Sequence, residues 1–277
     1  MTDADRNRKT AGLTLTHSRL TLGAEGHVVD VHDSGGTGPV FLLLHGVGLS
    51  HRPYRRLAKH LAPHARVIAL DLPGFGATPK PHRSISVEEY AGLISAVLDV
   101  LGVAQCVAVG HSMGAQFALE LALQRPDAIT HVVLAGPVTD SEHPTAVRQT
   151  LVLARDSLLE PLPTNSVVFT DYIRTGPRWY FTEVAAMLAY PTVDRIAGLT
   201  APLLVLRGSD DPIATDDWCG RLIDAAGAGT LRTFPGHRHV VVHTAAADVA
   251  NAIIEHARTP AGPGAGAAVA NRIASSQ

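Results

Sequence analysis

Apolar residues gather along this chain in two patterns. Near residues 14–22 and 27–32 they alternate with polar ones, and Gly26 stands between the two segments. Alternation marks strands with one face in water, so a pair of antiparallel edge strands joined by a turn at Gly26 is expected. Further on, the runs are short and apolar throughout. "PVFLLLHG" (39–46), "ARVIALDLPG" (65–74), "CVAVGHS" (106–112), "HVVLAGP" (131–137) and "APLLVLRGSDDP" (201–212) share that design, and another short strand is expected at 229–234. Such runs suit strands covered on both faces. Stretches of helical length fall near 50–62, 86–101 and 114–125. Strand alternating with helix predicts an α/β fold, a mostly parallel central sheet with helices on both faces.

The helix after residue 112, "AQFALELALQ", is apolar nearly all round, with Glu120 its only charge. A helix of that kind belongs in the middle of a molecule. The alternation then fails between about 138 and 198. That segment holds "VRQTLVLARDSLL", "SVVFTDYIR" and "GPRWYFTEVAAMLAYP". The last reads as a helix with Pro177 in its first turn and Pro191 beyond its end, and with Tyr180, Val184, Met187 and Leu188 on one face. A helical insertion in an α/β sheet is expected to form a cap. The core is then 1–137 with 199–257, the cap is 138–198, and the Gly/Ala/Pro-rich tail 258–277 is expected to be disordered.

Composition narrows the function. Acidic residues number 25 and basic residues 23, which leaves no basic footprint for nucleic acid or an anionic membrane. The apolar runs are too short to cross a bilayer, and "MTDADRNRKTAG" lacks the apolar centre of a signal peptide. Cys106 and Cys219 are far apart, show no metal spacing, and read as buried thiols in a reducing compartment. A soluble cytoplasmic protein acting on a small molecule is expected.

The candidate chemistry centres on "QCVAVGHSMGAQ" (105–116). A sharp turn from strand to helix forces its central residue into a strained conformation and needs small neighbours two positions away on either side. Gly110 and Gly114 flank Ser112 at that spacing. The strain would lift Ser112 out at the carboxyl edge of the sheet, and Met113, opening the helix, would have a free N–H for an anion. A serine hydroxyl needs a base, and the base an orienting acid. Asp210 and Asp211 end one strand, while His237, His239 and His243 follow another. The order Ser, Asp, His fits loops at the strand ends of one sheet. "LPGFGATP" (72–79) is glycine-rich but lacks Gly-Lys-Ser/Thr, so it reads as a turn at the pocket rim and not as a phosphate loop.

Five motifs in this order, "LLLHGVG" (42–48), "DLPGFGATP" (71–79), "VGHSMGAQ" (109–116), "LRGSDDPI" (206–213) and "PGHRH" (235–239), resemble those of the α/β-hydrolase superfamily, in its branch with a small helical cap. The resemblance runs from about residue 16 to 257, with the cap poorly matched. It implies a triad of Ser112, Asp211 and His239, choosing Asp211 over Asp210 and His239 over His237 and His243. It also implies an oxyanion hole from the backbone N–H groups of Val47 and Met113, with His45 holding its loop. The implied activity is hydrolysis of a carboxylic ester, lactone or thioester through an acyl-enzyme, with no metal and no organic cofactor. The same elbow serves carbon–carbon bond hydrolases and cofactor-free perhydrolases. Haloalkane dehalogenases and epoxide hydrolases of the superfamily carry Asp where this chain has Ser112. A receptor or pseudoenzyme on this fold would show a damaged triad, and here the motifs are whole. Trp179, Tyr180 and Tyr172, with Phe169 and Phe181, are candidate pocket residues in the cap; Arg174 and Arg178 could meet a charged group. Oligomeric state has no signal in the sequence.

Overall fold

The structure is a computed structural model that describes residues 13–138 and 162–261. Eight strands form one sheet: β1 (Thr16–Leu22), β2 (His27–Asp33), β3 (Val40–Leu44), β4 (Arg66–Asp71), β5 (Cys106–His111), β6 (Ile129–Ala135), β7 (Leu203–Gly208) and β8 (Thr230–Phe234). Their spatial order is β1-β2-β4-β3-β5-β6-β7-β8. From β4 through β8 every pairing is parallel. The antiparallel opening hairpin turns at Gly26, whose φ is 68°. One expectation is corrected here. β2 is not an edge strand, because it also pairs antiparallel with β4. Its Val29 and Val31 are fully buried, which the alternating pattern allowed but did not require.

The apolar strands are packed on both faces. Leu42 and Leu44 of β3 face one core layer, while Phe41 and Leu43 face the other. The first layer lies under α2 (Val87–Val100), α3 (Met113–Gln124) and α7 (Asp216–Ala226); the second lies under α1 (Arg55–Leu61) and α9 (Ala246–His256). A short α8 (Val241–Thr244) precedes α9. Each fully buried leucine here contributes about 2 kcal/mol through removal of apolar surface from water. α2 begins with a reciprocal capping box between Ser86 and Glu89, so its first turn is fixed locally. α3 is buried from Met113 to Ala122, as its all-round apolar pattern predicts. Its Glu120 is 2% exposed and takes Arg195 and the Tyr190 hydroxyl as partners, at 2.8 Å each to Oε2.

Between β6 and β7 lie three helices: α4 (Leu162–Thr175), α5 (Pro177–Ala189) and α6 (Thr192–Ile196). They occupy the later part of the expected cap. "VRQTLVLARDSLL" and residues 262–277 of the expected disordered tail lie outside the described residues. Pro177 opens α5 as the sequence predicts. The buried side of α5 carries Trp179, Glu183, Val184 and Met187, so a carboxyl stands inside a face that reads as apolar.

Glu183 has no exposed surface, and the Tyr90 hydroxyl and Ile85 backbone are among its polar neighbours. Burial pushes its carboxyl up to about 7. The folded state therefore prefers the protonated form more than the unfolded chain does. The resulting stability is present below the unfolded carboxylate range and is lost as pH rises through about 7. The loss amounts to about 3 kcal/mol. Thermal unfolding between pH 5 and pH 8 should show wild type losing stability relative to Glu183→Gln as pH rises, since the buried histidines, which favour the folded state as pH rises, contribute equally to both proteins. Parallel profiles for the two proteins would mean that Glu183 is not the group responsible.

Candidate active site

β5 ends at His111, and the next residue departs from ordinary geometry. Ser112 has φ 57° and ψ −123°, and it is the single non-glycine with positive φ among the described residues. Strain of this kind costs about 1–3 kcal/mol and persists only where the surroundings enforce it. They do so here by crowding. A β-carbon on Gly110 would strike the Gly114 carbonyl, and one on Gly114 would strike the Leu44 carbonyl. Gly46 approaches from the other side, where a β-carbon would stand 2.8 Å from that of Ser112. The glycines at 46, 110 and 114 thus let β3, β5 and α3 meet at one serine.

Two further strand ends supply the polar partners. Asp211 follows β7 and His239 follows β8. His239 donates its Nδ1–H to Asp211 Oδ2 at 2.9 Å. Asp211 Oδ1 accepts the backbone N–H groups of Ile213 (2.8 Å) and Ala214 (3.1 Å). Burial alone would raise this carboxyl, but the His239 interactions and the two N–H groups outweigh it and hold the group below its ordinary range. With Nδ1 protonated, Nε2 is the basic nitrogen of the neutral ring. Gly136, at φ 53°, makes room for the imidazole, since a β-carbon there would lie 3.2 Å from the ring. His111 donates Nε2–H to the His239 carbonyl at 2.9 Å. Burial, with the His239 ring beside it, pushes His111 down to about 3, so it is a neutral donor at physiological pH.

The doublets separate cleanly. Asp210 is exposed and accepts from Ser209 Oγ at 2.8 Å. His237 pairs with Thr244 Oγ1, and His243 donates to the Pro53 carbonyl. Asp211 and His239 are brought together; the other members of both sets are not.

The loop after β3 is held from several sides. His45 donates Nδ1–H to the Gly46 carbonyl and accepts the Leu72 N–H on Nε2, which fixes its tautomer. Val47 and Met113 are both buried, and Met113 stands at the first helical position, where its N–H has no carbonyl one turn earlier in the helix. Tyr54 donates its hydroxyl to the Leu44 carbonyl at 2.7 Å. From the helices between β6 and β7, Asp171 of α4 accepts Ser50 Oγ (2.6 Å) and Arg52 Nη1 (3.0 Å), and Thr175 donates to the Gly48 carbonyl (3.2 Å). Asp171 has no sequence motif that marks it.

Tyr172 and Tyr180 meet edge to face, 5.4 Å between centroids, and both rings lie against Gly48. Trp179 is buried against Gly74. Phe169 and Phe181 are 66% and 57% exposed, so they stand on the outer surface of α4 and α5 and not on a pocket wall. Arg178 and Arg174 are also exposed.

Residues 39–157 match a family model described as the alpha/beta hydrolase fold. The chain has the α/β-hydrolase fold. It is 38% identical over 106 residues to an uncharacterized protein of Mycobacterium tuberculosis. That alignment covers 38% of this chain and 31% of the relative, so the chain spans about a third of that protein's length. It is 35% identical over 124 residues to a 2-hydroxy-6-oxo-2,4-heptadienoate hydrolase of Pseudomonas putida, covering 43% of this chain and 44% of that one. Among solved structures, an esterase from Exiguobacterium antarcticum superposes with a TM-score of 0.77 at 17% identity, covering 88% of this chain and all of the other (100%). At that identity the likeness is one of fold.

The crowding at Gly114 makes a sharp prediction. Gly114→Ala should destabilise the protein by about 3 kcal/mol through overpacking against backbone. Gly220→Ala, in α7 with nothing within 4 Å of the new methyl, should be neutral or stabilising. Urea unfolding of the two variants beside wild type checks both, and equal effects would contradict the packing described.

Proposed function

We propose that this chain is a serine hydrolase that cleaves a carboxylic ester, lactone or thioester of a small molecule through an acyl-enzyme. The observation that carries the reading is the Asp211–His239 hydrogen bond, formed at the same sheet edge where Ser112 holds a left-handed backbone conformation between close-packed elements. Ser112 Oγ attacks the carbonyl carbon as His239 Nε2 takes its proton. Asp211 keeps the imidazole in the required tautomer and stabilises the imidazolium. The N–H groups of Val47 and Met113 donate to the developing oxyanion. The leaving group takes the proton from His239, and water activated by the same ring releases the acid. The scheme uses no metal and no organic cofactor.

Tyr172 and Tyr180 would confine the substrate from the cap side, because their rings cover Gly48 in the loop whose Gly46 packs against Ser112, with Trp179 over Gly74 of the next loop. A second reading, cleavage of a carbon–carbon bond by the same triad, draws support from the name of the P. putida relative. Cytoplasmic location fits Cys106 and Cys219, which are buried free thiols. Among the described residues no helix is long and apolar enough to cross a membrane.

Intact mass after exposure to a fluorophosphonate tests the nucleophile. Wild type should gain one adduct and Ser112→Ala none, with unchanged melting for the variant. An adduct that persists in Ser112→Ala would place the reactive serine elsewhere. A panel of esters, lactones, thioesters and dienol ketones then separates the two readings. On the best substrate, Asp211→Asn should lower kcat by about four orders of magnitude, as expected when the tautomer is lost. Asp210→Asn should stay within about twofold of wild type, since an exposed carboxylate outside the site adds little; equal losses would move the acid role away from Asp211.

A further inference from the structure

On the far side of the loop that follows Val47, three side chains from separate elements aim at one point. His32 comes from β2, His51 from the loop after β3, and Asp71 from the end of β4. Asp71 Oδ2 lies 3.3 Å from His32 Nε2 and 3.0 Å from His51 Nδ1. All the ligating atoms of the three residues fall within 4.8 Å of one another. They border a cavity of about 260 Å³, which His17 and Asp30 also line. His17 stands opposite His32 in the β1–β2 register.

Asp71 is 3% exposed, accepts the His51 backbone N–H at 2.6 Å, and among the described residues has the two imidazoles as its ion-pair partners. Two arginines of the same wall pair elsewhere, Arg19 with Asp30 at 2.6 Å and Arg52 with Asp171 at 3.0 Å, and the third, Arg174, is exposed and forms no ion pair with Asp71. A divalent ion would add a permanent counter-charge to this buried carboxylate.

We propose that His32, His51 and Asp71 bind a divalent ion of the zinc class, with its remaining coordination open to the cavity. Two imidazole nitrogens and one carboxylate suit zinc, cobalt or nickel, and do not suit calcium or magnesium, which favour oxygen. Bonds of about 2.0 Å to a tetrahedral ion place its ligand atoms about 3.3 Å apart, close to the two distances observed. The rings must rearrange on loading. They now stack with centroids 3.4 Å apart, whereas two imidazoles on one tetrahedral ion have centroids about 5 Å apart. Both side chains are partly exposed and edge the cavity, so they have room to part. The ion would join β2, β4 and the loop after β3. It takes no part in the acyl-enzyme chemistry, and the proposal does not rest on that chemistry.

The test uses the full chain without a polyhistidine tag, stripped with a chelator and titrated with zinc by calorimetry and with cobalt by visible absorption. Wild type should bind one ion, with the d–d bands of a four-coordinate cobalt site and a raised melting temperature. His32→Gln and His51→Gln, which keep a polar side chain and the buried Asp71, should each lose at least tenfold in affinity and lose the bands. The double variant His60→Ala/His64→Ala removes two exposed histidines on and just after α1 and should bind as wild type does. Failure of wild type to bind either ion would overturn the proposal and leave an ordinary hydrogen-bonded cluster. Binding that survives both glutamine variants, or that vanishes in the double alanine variant, would overturn it equally.

Discussion

The carbonyl of Leu44 is the point on which the rest of this molecule is built. It closes β3, it accepts the Tyr54 hydroxyl, and α3 presses against it at Gly114 with no side chain between. A helix can lie that close to a strand end only if its first turn lacks a β-carbon at the contact. The approach then dictates the turn before it. β5 must reach the helix within one residue, Gly110 must also be bare, and Ser112 is left with a backbone conformation that L-residues avoid. The strain is a consequence of packing, held in place by layers of fully buried leucine, valine and isoleucine on either side of the sheet.

Charged groups inside this frame act as connectors between elements. Glu120 ties the helix after the serine to Arg195 and Tyr190, beyond the end of α5. Asp171 ties α4 to Ser50 and Arg52. Buried ion pairs of this sort add little net stability, since desolvation offsets the attraction, yet loss of one partner strands a charge. Their contribution is to set which surface meets which. The helices between β6 and β7 are thereby registered on the sheet at two separated places, one on α3 and one on the loop after β3.

How much of this was legible in the sequence follows from what each feature demands of its residues. "VFLLL" reads as a strand covered on both faces because burial on both faces admits few polar residues, and all five of its residues are buried. The serine turn is legible because steric exclusion requires glycine at fixed offsets. Asp211 and His239 were singled out by resemblance and not by chemistry, since two aspartates and three histidines share the two loops. Asp171 and Glu183 were not legible. A carboxylate on a helix ordinarily faces water, and helical periodicity reports which positions turn inward without reporting what a partner on another element offers them. Phe169 and Phe181 erred the other way, since large apolar residues beside tyrosines look like pocket lining but are exposed. The position of β2 in the sheet was hidden because one alternating segment resembles another whether its second neighbour is water or β4.

The bonds from Asp171 and Thr175 to the loop after β3 have a kinetic meaning. That loop is the one proposed to present the Val47 N–H to the oxyanion, and on that proposal an outward movement of α4 would pull on the donor. A bulky compound that displaced α4 would still bind, yet it would meet a misaligned donor. Discrimination among substrates would then fall on turnover more than on affinity, and a good substrate would be recognised by how completely it leaves α4 seated on the loop.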